Sequence, residues 1–221
     1  MSINQNVLGL IFASINDSAV IDLTKLRTMG SIPYGGRYRM VDFPLSNMVN
    51  SGISEVGVIT KSNYGSLLDH LGSGREWDLA RKKGGLHLLP PFGVNTRGDY
   101  TGTAEALNAV ITYVRNIPEP EIVLMPADIV CNLDLGAAIA QHNAGGCGIT
   151  AICRGGTVTG EHHRYLTDER GRVTKLFTSA SAGAGVAAME IYIVNKDVLL
   201  DILDFCAQEN RFHFHLSLIH I

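Results

Sequence analysis

Apolar residues gather along this chain in short blocks separated by polar, glycine-rich intervals. Val7–Phe12 and residues 55–60, 122–126, 148–153 and 187–194 are compact apolar runs of strand length. Between them the period changes. Residues 103–115 set Ala104, Leu107, Val110, Ile111 and Val114 at helical spacing, with Thr101 or Thr103 available as N-cap. Residues 135–143 and 197–208 repeat the helical pattern, and the first runs into Gly145 and Gly146, which suit a left-handed C-terminal cap. Strand, helix, strand in this order predicts an α/β fold: right-handed crossovers building a mainly parallel sheet with helices on both faces. Ligands of such sheets sit beyond the carboxyl ends of the strands, so the residues just after each strand are the ones to search for chemistry.

Composition narrows the picture. With 221 residues, 46% hydrophobic and 18% charged, the chain has material for one packed core. The expected organisation is one domain over residues 1–210 and a truncated or non-native tail over 211–221, where an apolar run follows no helix cap. Residues 179–185 (S-A-S-A-G-A-G) form the weakest part of the pattern, a small-residue loop. A net charge of -3 offers no broad basic field to a nucleic-acid backbone. No apolar run is long enough to cross a bilayer, and residues 1–6 lack an export signal, so the expected setting is cytoplasmic, with no membrane partner. Cys131, Cys147, Cys153 and Cys206 form no C-x-x-C pair and read as reduced thiols. The adjacent His162 and His163, and the alternating His213 and His215, lack partners at metal-ligand spacing. Ser14 and Ser46 lack a G-x-S-x-G elbow, which leaves nucleophilic catalysis without support.

One block is far more specific. Residues 32–47 read I-P-Y-G-G-R-Y-R-M-V-D-F-P-L-S-N, followed by M-V-N-S-G-I and the strand at 55–60. With Y-T-G-T-A at 100–104 and P-A-D at 126–128 in the same order, the chain resembles the glucose-1-phosphate adenylyltransferases over about residues 7–208. Within that family, G-S-I-P at 30–33 and L-G-S-G-R-E-W-D-L-A-R-K-K-G-G-L at 71–86 resemble the auxiliary, GlgD-type subunit rather than the catalytic one. The resemblance implies a Rossmann-like nucleotidyltransferase domain, usually followed by a left-handed β-helix that this chain is too short to contain. It also implies ATP and glucose 1-phosphate as ligands, magnesium as cofactor and a catalytic homologous subunit as partner.

Adenylyl transfer asks a protein to hold the triphosphate and stabilise developing charge more than to do covalent work. Carried over from the family by ungapped counting, the three glycines of the phosphate loop fall on Ser14, Ile15 and Asp17, and the loop arginine falls on Ala19. The lysine of the family's R-x-K-P motif falls on Met29, although Arg27 matches the arginine, and the sugar-phosphate lysine falls on Ser179. Each lost transition-state donor costs about 3–4 kcal/mol, so two missing cations remove on the order of four to six decades of rate. A carboxylate such as that of Asp17 placed roughly 4 Å from a phosphate charge adds about 4 kcal/mol of repulsion at an effective dielectric near 20.

Other positions match. Asp128 resembles the family's magnesium-binding aspartate and doubles as the catalytic candidate; it reads equally as an N-cap or turn residue. Gly102, Thr103 and Ala104 resemble the substrate-binding segment, and also read as a capped helix start. Arg37 and Arg39 resemble the sugar-phosphate effector site, their alternative being surface arginines pairing with Asp42. Arg75, Arg81, Lys82 and Lys83 around Trp77 read as a solvated helix face, with a subunit contact or anion site as the other option. The leading expectation is an auxiliary subunit that adjusts a catalytic homologue. The alternatives are a self-sufficient sugar-phosphate nucleotidyltransferase and a non-catalytic sugar-phosphate or nucleotide-sugar sensor.

Overall fold

The computed structural model describes residues 6–15, 17–61, 63–90, 100, 102–155, 163–177, 185–209, 211 and 214. In chain order the elements are β1 (Val7–Phe12), α1 (Ile21–Thr24), β2 (Pro33–Tyr34), β3 (Tyr38–Arg39), α2 (Asp42–Asn50), β4 (Glu55–Ile59), α3 (Gly65–Leu71) and β5 (Gly85–Leu89). There follow α4 (Thr103–Ala109), α5 (Ile111–Asn116), β6 (Glu121–Pro126), α6 (Leu135–Gly145), β7 (Ile149–Arg154), β8 (Arg164–Thr167), β9 (Val173–Phe177), β10 (Val186–Asn195) and α7 (Lys196–Gln208).

Eight strands form one sheet in the order β5-β4-β1-β6-β10-β8-β9, with β7 also paired to β10. The half β5-β4-β1-β6 is parallel throughout, as the alternation of strands and helices predicts. From β10 outward every pairing is antiparallel. The Rossmann-like half is therefore extended by an antiparallel half, a feature that short apolar runs do not encode because strand direction leaves no mark on hydrophobic pattern.

Period-two alternation decides which face each side chain serves. On β1, Leu8, Leu10 and Phe12 join Leu124, Leu107, Val114 and Leu203 on the face covered by α4, α5 and α7. Val7, Ile11 and Ala13 turn the other way, to Met48, Leu67, Met125 and Ile139 on the face covered by α2, α3 and α6. Gly9 lets α2 lie close, since a Cβ there would stand 2.4 Å from the Met48 sulfur. The helices confirm the predicted segments with one difference. Residues 103–115 split at Val110 (φ -109°, ψ 13°), whose N–H bonds back three residues to the Leu107 carbonyl and tightens the turn. On α6, Asp134 accepts from the Ala137 N–H at 3.1 Å and Gly146 (φ 59°) supplies the predicted left-handed cap.

Of the expected tail, Arg211 and Phe214 are described, and Phe214 is buried in the core. Residues 179–184, His162, His213 and His215 lie outside the described residues, as does Thr101.

Candidate functional site

The parallel strands end together and their ladder runs on past them. The Ala13 N–H donates to the Ile59 carbonyl at 2.9 Å, that of Ala127 to Phe12 at 3.0 Å and that of Thr60 to Leu89 at 3.2 Å. Onto this rim the chain delivers Ser14, Lys61, Tyr100 and Asp128. Ser14 is buried, and its hydroxyl accepts from the Lys61 N–H at 3.3 Å. The Tyr100 hydroxyl donates to the Thr60 carbonyl, which fixes the chain entering α4 above the end of β4. Gly102 is then extended (φ -154°, ψ 171°) and is the N-cap residue of α4, with no side-chain cap. The expectation of a threonine cap is corrected for Thr103: its hydroxyl accepts from the Phe214 N–H at 3.1 Å instead, a contact made across the fold. Ala104 points into the core.

Asp128 follows β6 and is half-buried. What holds its loop is the most recognisable part of the sequence. Asn47 of α2 is buried; its Nδ2 donates to the Cys131 carbonyl at 3.0 Å while its Oδ1 accepts from the Leu133 N–H at 3.1 Å. Ser51 Oγ accepts from the Leu135 N–H at 3.0 Å. The D-F-P-L-S-N stretch thus works as a clamp on the segment after Asp128. Cys131 shares in it, its Sγ 3.7 Å from Asn47 Nδ2, and burial pushes its thiol up from the ordinary range.

The segment after β1 is stapled by its own side chains. Asp17 accepts the Met29 N–H on Oδ1 at 2.8 Å, and the Asp17 carbonyl accepts from the Thr24 hydroxyl at 2.6 Å. Met29, at the position of the family's lysine, is 8% exposed and sits in a short 3-10 turn; the next N–H, of Gly30, donates to Ala13 at 2.8 Å. Ala19 is exposed and Arg27 half-buried on the same segment. An acid that bonds the Met29 backbone and a buried thioether therefore stand at the two positions where the resemblance expects a loop glycine and a lysine.

Arg37 and Arg39 belong to the β2–β3 hairpin, whose turn requires Gly35 and Gly36 at φ 60° and 92°. Arg37 is exposed, its guanidinium 5.9 Å from the Tyr38 ring centroid. Arg39 is committed elsewhere: its Nη1 donates to the Ser66 carbonyl at 2.6 Å and hydroxyl at 2.7 Å. The expected pairing with Asp42 is corrected, because Asp42 Oδ2 takes the backbone N–H of Arg39 at 3.0 Å and Oδ1 lies 2.6 Å from His70 Nε2. The group around Trp77 is also corrected. Residues 75–77 form a 3-10 turn rather than a helix face, and the Arg81 guanidinium pairs with Asp78.

Two rim residues escaped the sequence reading. Lys61 follows β4 beside Ser14 and is half-buried. Glu190 lies at φ 55°, in an irregularity of β10 between Ala188 and Ile191. Its Oε2 accepts from the Tyr192 hydroxyl at 3.1 Å, and Tyr165 and Tyr192 join hydroxyls at 3.0 Å. Burial first, and then the Glu190 charge, pushes the Cys153 thiol up to about 11; burial likewise holds both tyrosines neutral well beyond their usual range. The signal for Glu190 was an acid inside the apolar run A-A-M-E-I-Y-I-V.

The chain is similar to known proteins. The nucleotidyl transferase family model matches residues 11–217. The chain is 37% identical over 153 residues to the glycogen biosynthesis protein GlgD of Bacillus subtilis (strain 168), covering 69% of this chain and 45% of that protein. It is 34% identical over 211 residues to the glucose-1-phosphate adenylyltransferase of Pseudothermotoga lettingae, covering 94% of this chain and 50% of that protein. The chain thus spans about half the length of the curated relatives it matches. In fold it follows a Bacillus anthracis structure given as a glucose-1-phosphate thymidylyltransferase in complex with a sucrose, at TM-score 0.71 and 18% identity, over 89% of this chain and 74% of that one. With the family model matching from β1 past α7, over the sheet described above, the chain belongs to the nucleotidyl transferase family.

Proposed function

We propose that this chain is an auxiliary subunit of a glucose-1-phosphate adenylyltransferase in glycogen biosynthesis, where it adjusts a catalytic homologue rather than carrying the turnover itself. In that reaction a phosphate oxygen of glucose 1-phosphate attacks the α-phosphorus of ATP, and diphosphate leaves as ADP-glucose forms. The observation that supports the reading is the Met29 N–H donating to Asp17 Oδ1 with the Met29 side chain buried, an acid and a thioether at positions where the resemblance expects a phosphate-loop glycine and a lysine. Three large apolar side chains nearby, Ile21, Leu23 and Leu26, are 56%, 58% and 87% exposed, and a partner subunit would remove them from water.

The sugar end of the crevice keeps more of its parts. In this reading Gly102, Thr103 and Ala104 border the substrate, Arg27 lies beside it, and the exposed guanidinium of Arg37 takes the phosphate of a sugar-phosphate effector while Arg39 braces the hairpin against Ser66. Asp128 suits magnesium in chemistry, as one hard carboxylate that would share the ion with phosphate oxygens and water. Among the described residues no three His, Cys, Asp or Glu side chains gather into a cation site, so Asp128 would be this chain's own contribution. Magnesium, when bound, would supply charge neutralisation on the phosphates. Among the described residues no helix is long and apolar enough to cross a membrane, and the cytoplasm is the compartment this reading assigns.

A paired assay tests the proposal. The catalytic homologue from the same cell is assayed for ADP-glucose synthesis with and without this chain, with sugar-phosphate effectors present, and the mixture is weighed by native mass spectrometry. A complex of the two, with an altered rate or effector response, is the expected result. Two separate species with an unchanged rate would contradict it.

A further inference from the structure

The β2–β3 hairpin that presents Arg37 forms a sheet of its own, paired to none of the eight main strands. Each of its strands is two residues long, so its ladder alone is too short to hold it in place. Side chains at its return strand do so instead. Asp42 Oδ2 accepts the Arg39 N–H at 3.0 Å, the Arg39 guanidinium reaches Ser66, and Phe43 packs edge-on against Tyr34 at 5.4 Å between ring centroids.

These contacts meet at Asp42, which is 8% exposed. A carboxylate taken out of water has to be supplied with donors. Oδ2 receives one from the hairpin, and Oδ1 receives the other from His70 Nε2 on α3, 2.6 Å away. With the carboxylate as acceptor, Nε2 is the nitrogen that carries the proton. Ser66 and His70 stand one helical turn apart and so share a face of α3. That face grips the hairpin twice: Ser66 takes the Arg39 guanidinium directly, and His70 holds the carboxylate that takes the Arg39 backbone. The His70 ring in turn lies edge-on to Trp77, at 6.0 Å between centroids, in the turn after α3.

We propose that His70 is a positioning residue for the anion site on the hairpin: by donating to Asp42 it fixes the return strand and with it the place from which the Arg37 guanidinium meets a phosphate. The inference rests on the reading above in which Arg37 takes the phosphate of an effector, and it adds what holds that arginine in register. A guanidinium grips phosphate through parallel N–H groups, which requires a set direction of approach. Arg37 is exposed, so a hairpin left loose would add backbone freedom to the side-chain freedom that binding already has to remove.

The test combines calorimetric titration with inorganic phosphate and amide exchange over residues 33–41, on the full chain, on Arg37→Ala and on two complementary changes of the histidine. His70→Phe keeps a ring against Trp77 and removes the donor. His70→Gln keeps a donor at the place of Nε2 and removes the ring. Melting temperature checks that each variant is folded. His70→Phe is expected to exchange faster across 33–41 and to bind phosphate about tenfold more weakly, the loss of one hydrogen bond to a charged group, while His70→Gln stays within about threefold of the wild type. A phenylalanine variant that matches the wild type in both readouts would overturn the role of His70. So would a glutamine variant that departs from the wild type by tenfold or more, since ring packing and not the donor would then hold the hairpin; this second outcome decides the matter even where His70→Phe does not fold. A wild-type chain that binds no phosphate, or that binds it equally after Arg37→Ala, would instead overturn the Arg37 reading, and this inference with it.

Discussion

Cys153 lies on β7 opposite Ala188, next to the irregularity that carries Glu190. Its thiol is pushed up to about 11, mainly because it is half-buried and secondarily because of the Glu190 charge. The thiolate is the reactive species, and a raised value means that almost none is present at neutral pH. Iodoacetamide at pH 7.5 should therefore label the exposed Cys147 well before Cys153, and Cys153 labelling should rise roughly tenfold per pH unit as pH climbs toward that value. Peptide mass mapping reads both rates, and equal labelling at pH 7.5 would contradict the burial of Cys153.

At the same scale, the sequence shows residue types at rim positions but not the contacts they make. Asp17 and Met29 are visible as departures from the family's loop, yet only the fold reveals that each is employed holding the other's backbone or filling the core. Thr103 looks like a cap and bonds Phe214, more than a hundred positions away, a partner no local pattern specifies. Glu190 could have been flagged as an acid within an apolar strand. Its left-handed backbone could not have been, because the irregularity lies in the register of β10 against β7, a pairing between segments far apart in the chain.

Among the elements, α2 matters more than its length suggests. Its Asn47 satisfies two backbone groups of the loop after Asp128, and truncation would leave both without that partner. Asn47→Ala should cost about 1–3 kcal/mol, a fall in Tm of several degrees, and raise amide exchange across residues 129–135 before other segments. Urea unfolding with hydrogen-exchange mass spectrometry measures both, and a variant with unchanged stability and exchange would show that the clamp is idle. The strands β1, β4, β6, β7 and β10 were legible because each is a compact apolar run. The antiparallel β9 was not, since Val173, Thr174 and Lys175 are exposed and leave no alternating apolar signature. Helix α2 hid inside a motif whose proline, Pro44, falls in the first turn, where a missing N–H costs little.

Across the whole molecule, the two halves of the sheet divide the labour. The parallel half delivers Ser14, Lys61 and Asp128 to one rim, and the antiparallel half carries the Glu190, Tyr165 and Tyr192 hydrogen bonds. The class of fold and the rim as the place of chemistry followed from the alternation of elements. The division itself did not, because it depends on strand direction. The scaffold of a nucleotidyl transferase persists while the segment after β1 is tied up by its own hydrogen bonds, and the proposal made above is that this segment grips no triphosphate.

The direct measurement is calorimetric titration of the purified chain with ATP and magnesium, in the absence of any partner, with amide exchange followed over residues 17–31. The account predicts no saturable heat at millimolar ATP and no change in exchange in that segment. Micromolar affinity, accompanied by new protection across Asp17 to Met29, would contradict it.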